Sequence, residues 1–140
     1  MFPELKLDAD RVNALIFGAF PGNSAETFPR ITEVEPGRVH AILPYREGML
    51  RPGNLVSGPT LMGHADTTAY ALVLCHVGEE LMAVTSSLVM NFLRGAKPGD
   101  IHAEGRLLRL GRRSAVCDIR LWTEAPDRLA AQATVTYAIP

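Results

Sequence analysis

Cysteine is scarce in this chain of 140 residues. The two present, Cys75 and Cys117, stand far apart with no Cys-x-x-Cys spacing, which argues against a disulfide-stapled scaffold and for a reducing compartment. A basic excess is missing as well. The 14 Lys and Arg are set against 15 Asp and Glu, for a formal net charge of −1, so no nucleic-acid partner is expected. No apolar run approaches the ~18 unbroken residues of a membrane span, and no membrane contact is expected either. Met1-Phe2-Pro3-Glu4 lacks the basic start and apolar stretch of a signal peptide. These absences lead to the expectation of a soluble, cytoplasmic protein. Common catalytic devices are lacking too. His40, His64, His76 and His102 show no His-Glu-x-x-His or comparable spacing, so no metal site is expected. There is no Gly-x-Ser-x-Gly elbow and no Gly-x-x-x-x-Gly-Lys phosphate loop.

What remains is an ordinary globular composition, 47% hydrophobic and 21% charged, which reads as one domain spanning residues 1–140. Within residues 1–22, Val12, Leu15, Ile16 and Ala19 have helical spacing behind Asp8 or Asp10 as N-cap, and Pro21-Gly22-Asn23-Ser24 ends the segment. Ile31–Glu35 and Arg38–Leu43, joined by Pro36-Gly37, read as a hairpin. The turn-rich stretch Tyr45–Val56 is the natural place for a functional loop. Ser57-Gly58-Pro59 opens a long helix that Gly78 closes, a central helix over residues 57–78. The period then changes from 3.6 to 2. Leu81–Leu93, Ile101–Leu110, Ser114–Thr123 and Leu129–Ile139 read as strands with short connections. Short connections make neighbours antiparallel, so the class is α+β: a mainly antiparallel sheet of about six strands with one long helix.

That helix is unusual in its charge. Between Thr60 and Val77 the only formally charged side chain is Asp66. A helix apolar all round is enclosed, so the sheet must wrap around it. A carboxylate there needs donors or a function. It either hydrogen-bonds Thr67, Thr68 or a nearby loop, or it faces a cleft and does acid–base or nucleophilic work. At the helix entrance, unpaired N–H groups and the positive end of the dipole collect. Gly58 N–H is a candidate to polarise a carbonyl oxygen, since glycine keeps no ligand away. Eight residues separate Gly58 from Asp66, roughly 12 Å along the axis. An oxyanion donor and a base must both lie near ~3 Å from one reacting group. One chain cannot supply both, so a catalytic reading requires at least a two-fold dimer with shared sites. His64, two residues before Asp66 and about 200° round the helix, is no partner for it and reads as a satisfied core histidine.

Ser57-Gly58-Pro59-Thr60-Leu61-Met62-Gly63-His64-Ala65-Asp66-Thr67 resembles the His-Gly-Gly…Asp signature of hotdog-fold acyl-CoA thioesterases of the phenylacetate-degradation (PaaI-like) type. Ala83-Val84-Thr85 through Arg94, Ala96-Lys97-Pro98-Gly99-Asp100, Leu110-Gly111-Arg112-Arg113 and Ala131–Tyr137 resemble the later strands and turns of that family. The resemblance implies a hotdog fold, dimers joined edge to edge, and their pairing into tetramers. It implies that Gly58 donates its amide to the thioester oxygen. Asp66 of the other subunit activates water or attacks the carbonyl, with Thr85 orienting water or carboxylate. The family histidine is replaced by Ser57 and its second glycine by Pro59; the serine hydroxyl can still orient a sulfur or a water. The family's upstream asparagine falls at Arg51, with Asn54 nearby, and either could contact substrate.

The expected substrate is an acyl-CoA, with coenzyme A as part of the substrate and no separate cofactor. Its phosphates call for cations at the cleft mouth, for which Arg94, Lys97, Arg112 and Arg113 are candidates. Two alternatives stand beside hydrolysis. One is a hydratase or dehydratase, which needs a histidine beside the acid. The other is an acyl-CoA-binding regulatory module, which binds without releasing thiol.

Overall fold

A computed structural model describes Phe2 and residues 4–140. The first helix, α1, spans Ala9–Ala19 and starts at Asp8, whose carboxylate accepts from Arg11 N at 2.8 Å. Strands β1 (Arg30–Glu35) and β2 (Arg38–Leu43) form the expected hairpin. The Tyr45–Val56 loop contains a short 3₁₀ turn, Glu47–Met49, and a two-stranded ribbon, β3 (Leu50–Arg51) with β4 (Leu55–Val56). Helix α2 covers Gly58–Val77, with Ser57 as N-cap and Gly78, at φ 95°, as C-cap. Strands β5 (Val84–Phe92), β6 (Ile101–Leu110), β7 (Ser114–Trp122) and β8 (Ala131–Ala138) complete the chain.

Six strands make one antiparallel sheet in the order β1-β2-β6-β7-β8-β5. Alternation sends Val39 and Ala41, Ala103 and Leu107, Cys117 and Ile119, and Ala133 and Val135 inward, all buried against α2. Small residues let the helix come close. At Gly105 a Cβ would stand 3.0 Å from Ile119 Cδ1, 3.3 Å from Thr68 Cγ2 and 3.4 Å from Leu72 Cδ2. A curved antiparallel sheet wrapped around one 20-residue helix is the hotdog fold.

Two features depart from expectation. The helix is enclosed from Thr68 to His76, but Pro59, Met62 and Gly63 are exposed and Asp66 is half-buried. These positions share one helical stripe. Strand β5 begins at Val84 instead of Leu81, and no residue along it is fully buried. Since β5 is an edge strand, the sheet stops short of covering that stripe. Val84, Val89 and Phe92 are each more than half exposed on the same edge. No helix among the described residues is long and apolar enough to cross a membrane.

Candidate active site

The entrance of α2 is held firmly. Ser57 N donates to Met49 O at 2.8 Å, Val56 N to Ala96 O at 2.9 Å, and Met49 is buried. The Ser57 hydroxyl acts as a cap: it accepts from Thr60 N at 3.4 Å and shares a 2.8 Å hydrogen bond with Thr60 Oγ1. Pro59 occupies the first turn and points outward. Gly58 is the first residue of α2, and among the described residues no backbone acceptor takes its N–H. It lies in a cleft of about 630 Å³ bounded by Arg51, Pro52, Leu55, Phe92 and Arg94. The Phe92 ring would stand 3.4 Å from a Cβ at Gly58. A hydrogen there leaves the amide open to the cleft.

Asp66 sits about two turns further on. Its Oδ1 accepts two hydrogen bonds, from Thr85 Oγ1 at 2.6 Å and from Tyr137 OH at 2.8 Å; the same tyrosine lies 3.2 Å from Asp66 O. Both donors bind one oxygen, and among the described residues no hydrogen-bond donor meets Oδ2. Tyr137 is nearly buried, and its ring stacks on Tyr70 at 5.7 Å. Burial first, and then the adjacent Asp66 carboxylate, push its ionisation up, so the phenol remains a donor. A second hollow, of about 420 Å³, opens here between Phe20, Tyr70, Leu81, Val84, Thr85 and Tyr137.

The cationic candidates divide between the two ends of the sheet. Arg51 and Arg94 line the Gly58 cleft; their Nε atoms donate to Pro52 O at 3.1 Å and Leu129 O at 3.2 Å, leaving the guanidinium tips free to turn. Arg112 and Arg113 lie in the β6–β7 turn, beside the end where Ser114 and Val84 both pair with Ala138. That is the Thr85 and Asp66 end. Lys97 stands 3.9 Å from Glu124 and lies outside both hollows. Asn54 does too: it occupies the tip of the β3–β4 turn at φ 59°, with its N–H donating to Arg51 O. Asparagine tolerates that left-handed backbone better than most residues, which accounts for it. Within one chain the structure therefore gathers Arg51, Ser57, Gly58, Pro59 and Arg94 at one end, and Asp66 and Thr85 with Arg112 and Arg113 at the other.

Tyr137 is the site residue that sequence patterning missed. Alternation puts it on the inward face of β8, but only the packing of β8 on α2 brings its hydroxyl to Asp66. The remaining ionisable groups stand apart. His64 Nε2 meets Ile101 O at 3.0 Å, and burial pushes its pKa down to about 4, so it stays neutral; among the described residues its Nδ1 finds no partner. Burial pushes the Cys75 and Cys117 thiols up to about 12, far from a reactive thiolate. Among the described residues no three His, Cys, Asp or Glu come together in a metal-binding group.

The helix amide at Gly58 and the hydrogen-bonded carboxylate of Asp66 are thus set on a hotdog scaffold. The family model described as thioesterase superfamily matches residues 53–130, and the chain belongs to that family of thioester hydrolases. A protein of Saccharolobus solfataricus carrying an esterase name is 30% identical over 110 residues, 79% of this chain and 77% of its own length. A crystal structure from Silicibacter sp. TM1040, named as a thioesterase, is 39% identical and superposes with a TM-score of 0.88 over 98% of this chain and 94% of its own. One from Ralstonia eutropha JMP134, named as a phenylacetic acid degradation-related thioesterase, is 26% identical, with a TM-score of 0.74 over 79% of this chain and 84% of its own. The matched residues include Gly58, Asp66 and Thr85 but stop before Tyr137.

Proposed function

We propose that this protein is an acyl-CoA thioesterase of the PaaI-like type, hydrolysing its substrate to a free acid and coenzyme A at sites shared between two subunits. The observation that carries this reading is the half-buried Asp66, pinned through Oδ1 by Thr85 and Tyr137 and facing the stripe that its own sheet leaves open. Similarity to the Ralstonia eutropha structure supports the PaaI-like assignment.

The dimer follows from β5. Among the described residues its outer edge is unpaired, and its sequence, Val84–Phe92, carries no charge to keep another strand away. Two copies of β5 pair antiparallel about Leu88. Val84 then lies beside the partner subunit's Phe92, and the Asp66 hollow meets the partner subunit's Gly58 cleft. Met62, 40% exposed in one chain, is covered by the second. Two such dimers pair into a tetramer, as the family resemblance implies.

The chemistry is short. Gly58 N–H receives the thioester oxygen at the positive end of α2, where negative charge develops. Asp66 of the opposite subunit takes a proton from the attacking water, or attacks the carbonyl itself to form an anhydride that water opens. On the first route the C–S bond of the tetrahedral adduct breaks and the thiolate leaves with the proton that the carboxylate holds. On the second the C–S bond breaks and the thiolate leaves as the anhydride forms, and water then opens the anhydride to the free acid and Asp66. Arg51 and Arg94 on one subunit, with Arg112 and Arg113 on the other, face the coenzyme A phosphates. Thiol release from a panel of acyl-CoA esters tests the assignment. Asp66→Asn should lower turnover by orders of magnitude, about 10²-fold or more, while the melting temperature holds. An Asn variant as fast as the parent would refute it.

A further inference from the structure

We infer that the hollow beside Asp66 is the acyl subsite, that it takes a hydrocarbon acyl group without polar substituents, and that Phe20 sets the length it accepts. The inference rests on the hydrolase reading for its substrate and on the wall chemistry for its selectivity. Three rings run in a row away from the carboxylate. Tyr137 is hydrogen-bonded to Asp66, Tyr70 stacks on it at 5.7 Å, and Phe20 meets Tyr70 edge-on at 6.2 Å. Leu81 and Val84 close the opposite side of the same 420 Å³ space.

Every wall hydroxyl has already given away its one hydrogen. Tyr70 OH donates to Leu81 O at 2.7 Å, Thr85 Oγ1 to Asp66 at 2.6 Å, and Tyr137 OH to Asp66 at 2.8 Å. Among the described residues no charged side chain other than Asp66 itself adjoins the hollow. An acyl group ending in a carboxylate would lose its water, find no side-chain hydroxyl left to donate to it, and face a like charge. A plain alkyl or aryl end meets only carbon and ring faces.

Phe20 terminates the row. It follows the last residue of α1 and precedes the Pro21-Gly22 turn, it is 46% exposed, and it leans on Phe28 as well as Tyr70. Its ring is thus a wall that a small residue would open to solvent, without disturbing Asp66, Thr85 or Gly58.

The test compares hexanoyl-CoA with adipoyl-CoA, which has the same chain length but ends in a carboxylate. The parent should favour hexanoyl-CoA by roughly tenfold or more in kcat/KM. Phe20→Ala should raise kcat/KM for decanoyl-CoA relative to hexanoyl-CoA several-fold, while Phe17→Ala, in the last turn of α1 but outside the hollow, leaves the ratio unchanged. Calorimetric binding to the Asp66→Asn variant gives the same discrimination without turnover. Hydrolysis with equal use of the two esters, and no change of chain-length ratio in Phe20→Ala, would overturn the subsite and leave the hydrolase reading standing. Discrimination in binding with no thiol released from any ester would overturn the hydrolase reading and leave the subsite.

Discussion

Removing one oxygen atom from Tyr137 isolates the pinning of the carboxylate from everything else at the site. Tyr137→Phe keeps the ring, its 5.7 Å stack on Tyr70 and its place in the core. It deletes the 2.8 Å hydrogen bond to Asp66 Oδ1 and the longer 3.2 Å contact with Asp66 O, leaving Thr85 at 2.6 Å as the sole side-chain donor among the described residues. A hydrogen bond to a charged acceptor contributes about 1.5–3 kcal/mol. Part of that is recovered when water reaches Oδ1 of a half-buried carboxylate, so about 1–2 kcal/mol should appear in the activation barrier, roughly 5- to 30-fold in kcat. The hydroxyl donates to the carboxylate, and the ring that lines the hollow is kept, so KM should change by less than about twofold. Thr85→Ser should keep activity and Thr85→Ala should lose a similar factor. The double variant Tyr137→Phe with Thr85→Ala should lose far more than either, since Oδ1 then has no protein side-chain donor. Steady-state thiol release gives kcat and KM; a melting curve recorded alongside separates catalysis from folding. A Tyr137→Phe variant with unchanged kcat and a lowered melting temperature would show that the hydroxyl serves the fold alone, and the reasoning would fail.

The same geometry fixes other outcomes. Gly105→Ala puts a Cβ 3.0 Å from Ile119 Cδ1 and 3.3 Å from Thr68 Cγ2. It should cost about 1–3 kcal/mol in chemical denaturation by forcing α2 off the sheet; an unchanged midpoint would contradict the close approach. His64, fully buried with a pKa near 4, is neutral when folded but binds a proton below its usual 6.5 when unfolded. The unfolded state therefore holds more protons between these values. Stability should fall as pH drops from about 6.5 toward 4, by a contribution on the order of 3 kcal/mol that His64→Leu removes from the slope. At alkaline pH the sign reverses. Cys75 and Cys117 stay protonated to about 12 in the fold, against 9.0 ordinarily, so stability should decline as pH rises above about 9.

Much of this arrangement can be read from residue order, and the parts that cannot have physical reasons. Ser57-Gly58-Pro59 and Gly78 mark both ends of α2 because capping and breaking are local effects. The strand Ile101–Leu110 is read to the residue for the same reason, its alternation being bounded by clear turns. Strand β5 is not. Glu80 N bonds back to Gly78 O, Ala83 N to Glu80 O, and Tyr70 OH takes Leu81 O, so residues 81–83 are held in a turn that an apolar pattern hides. Asp66 is visible as a lone charge in an apolar helix. Its partner Tyr137 lies 71 positions away and becomes visible only when β8 is packed on α2. Asn54, expected near the substrate because it lies close to the position of the family's upstream asparagine, takes a φ of 59° at the tip of the β3–β4 turn, a backbone state that its place in the sequence does not reveal.

Mixed dimers bear most directly on the sharing of each site between two chains. Gly58→Pro removes the N–H at a first helical position where proline is tolerated, and Ser57, at φ −69° and ψ 151°, already has the extended backbone that precedes proline. This variant and Asp66→Asn should each be nearly inactive alone. Unfolded together in equal amounts and reassembled, half of the dimers carry one subunit of each kind, and each such dimer holds one undamaged site. Thiol release should recover to about one quarter of the parent rate. Recovery no greater than the sum of the two separate variants would contradict a site built from both subunits.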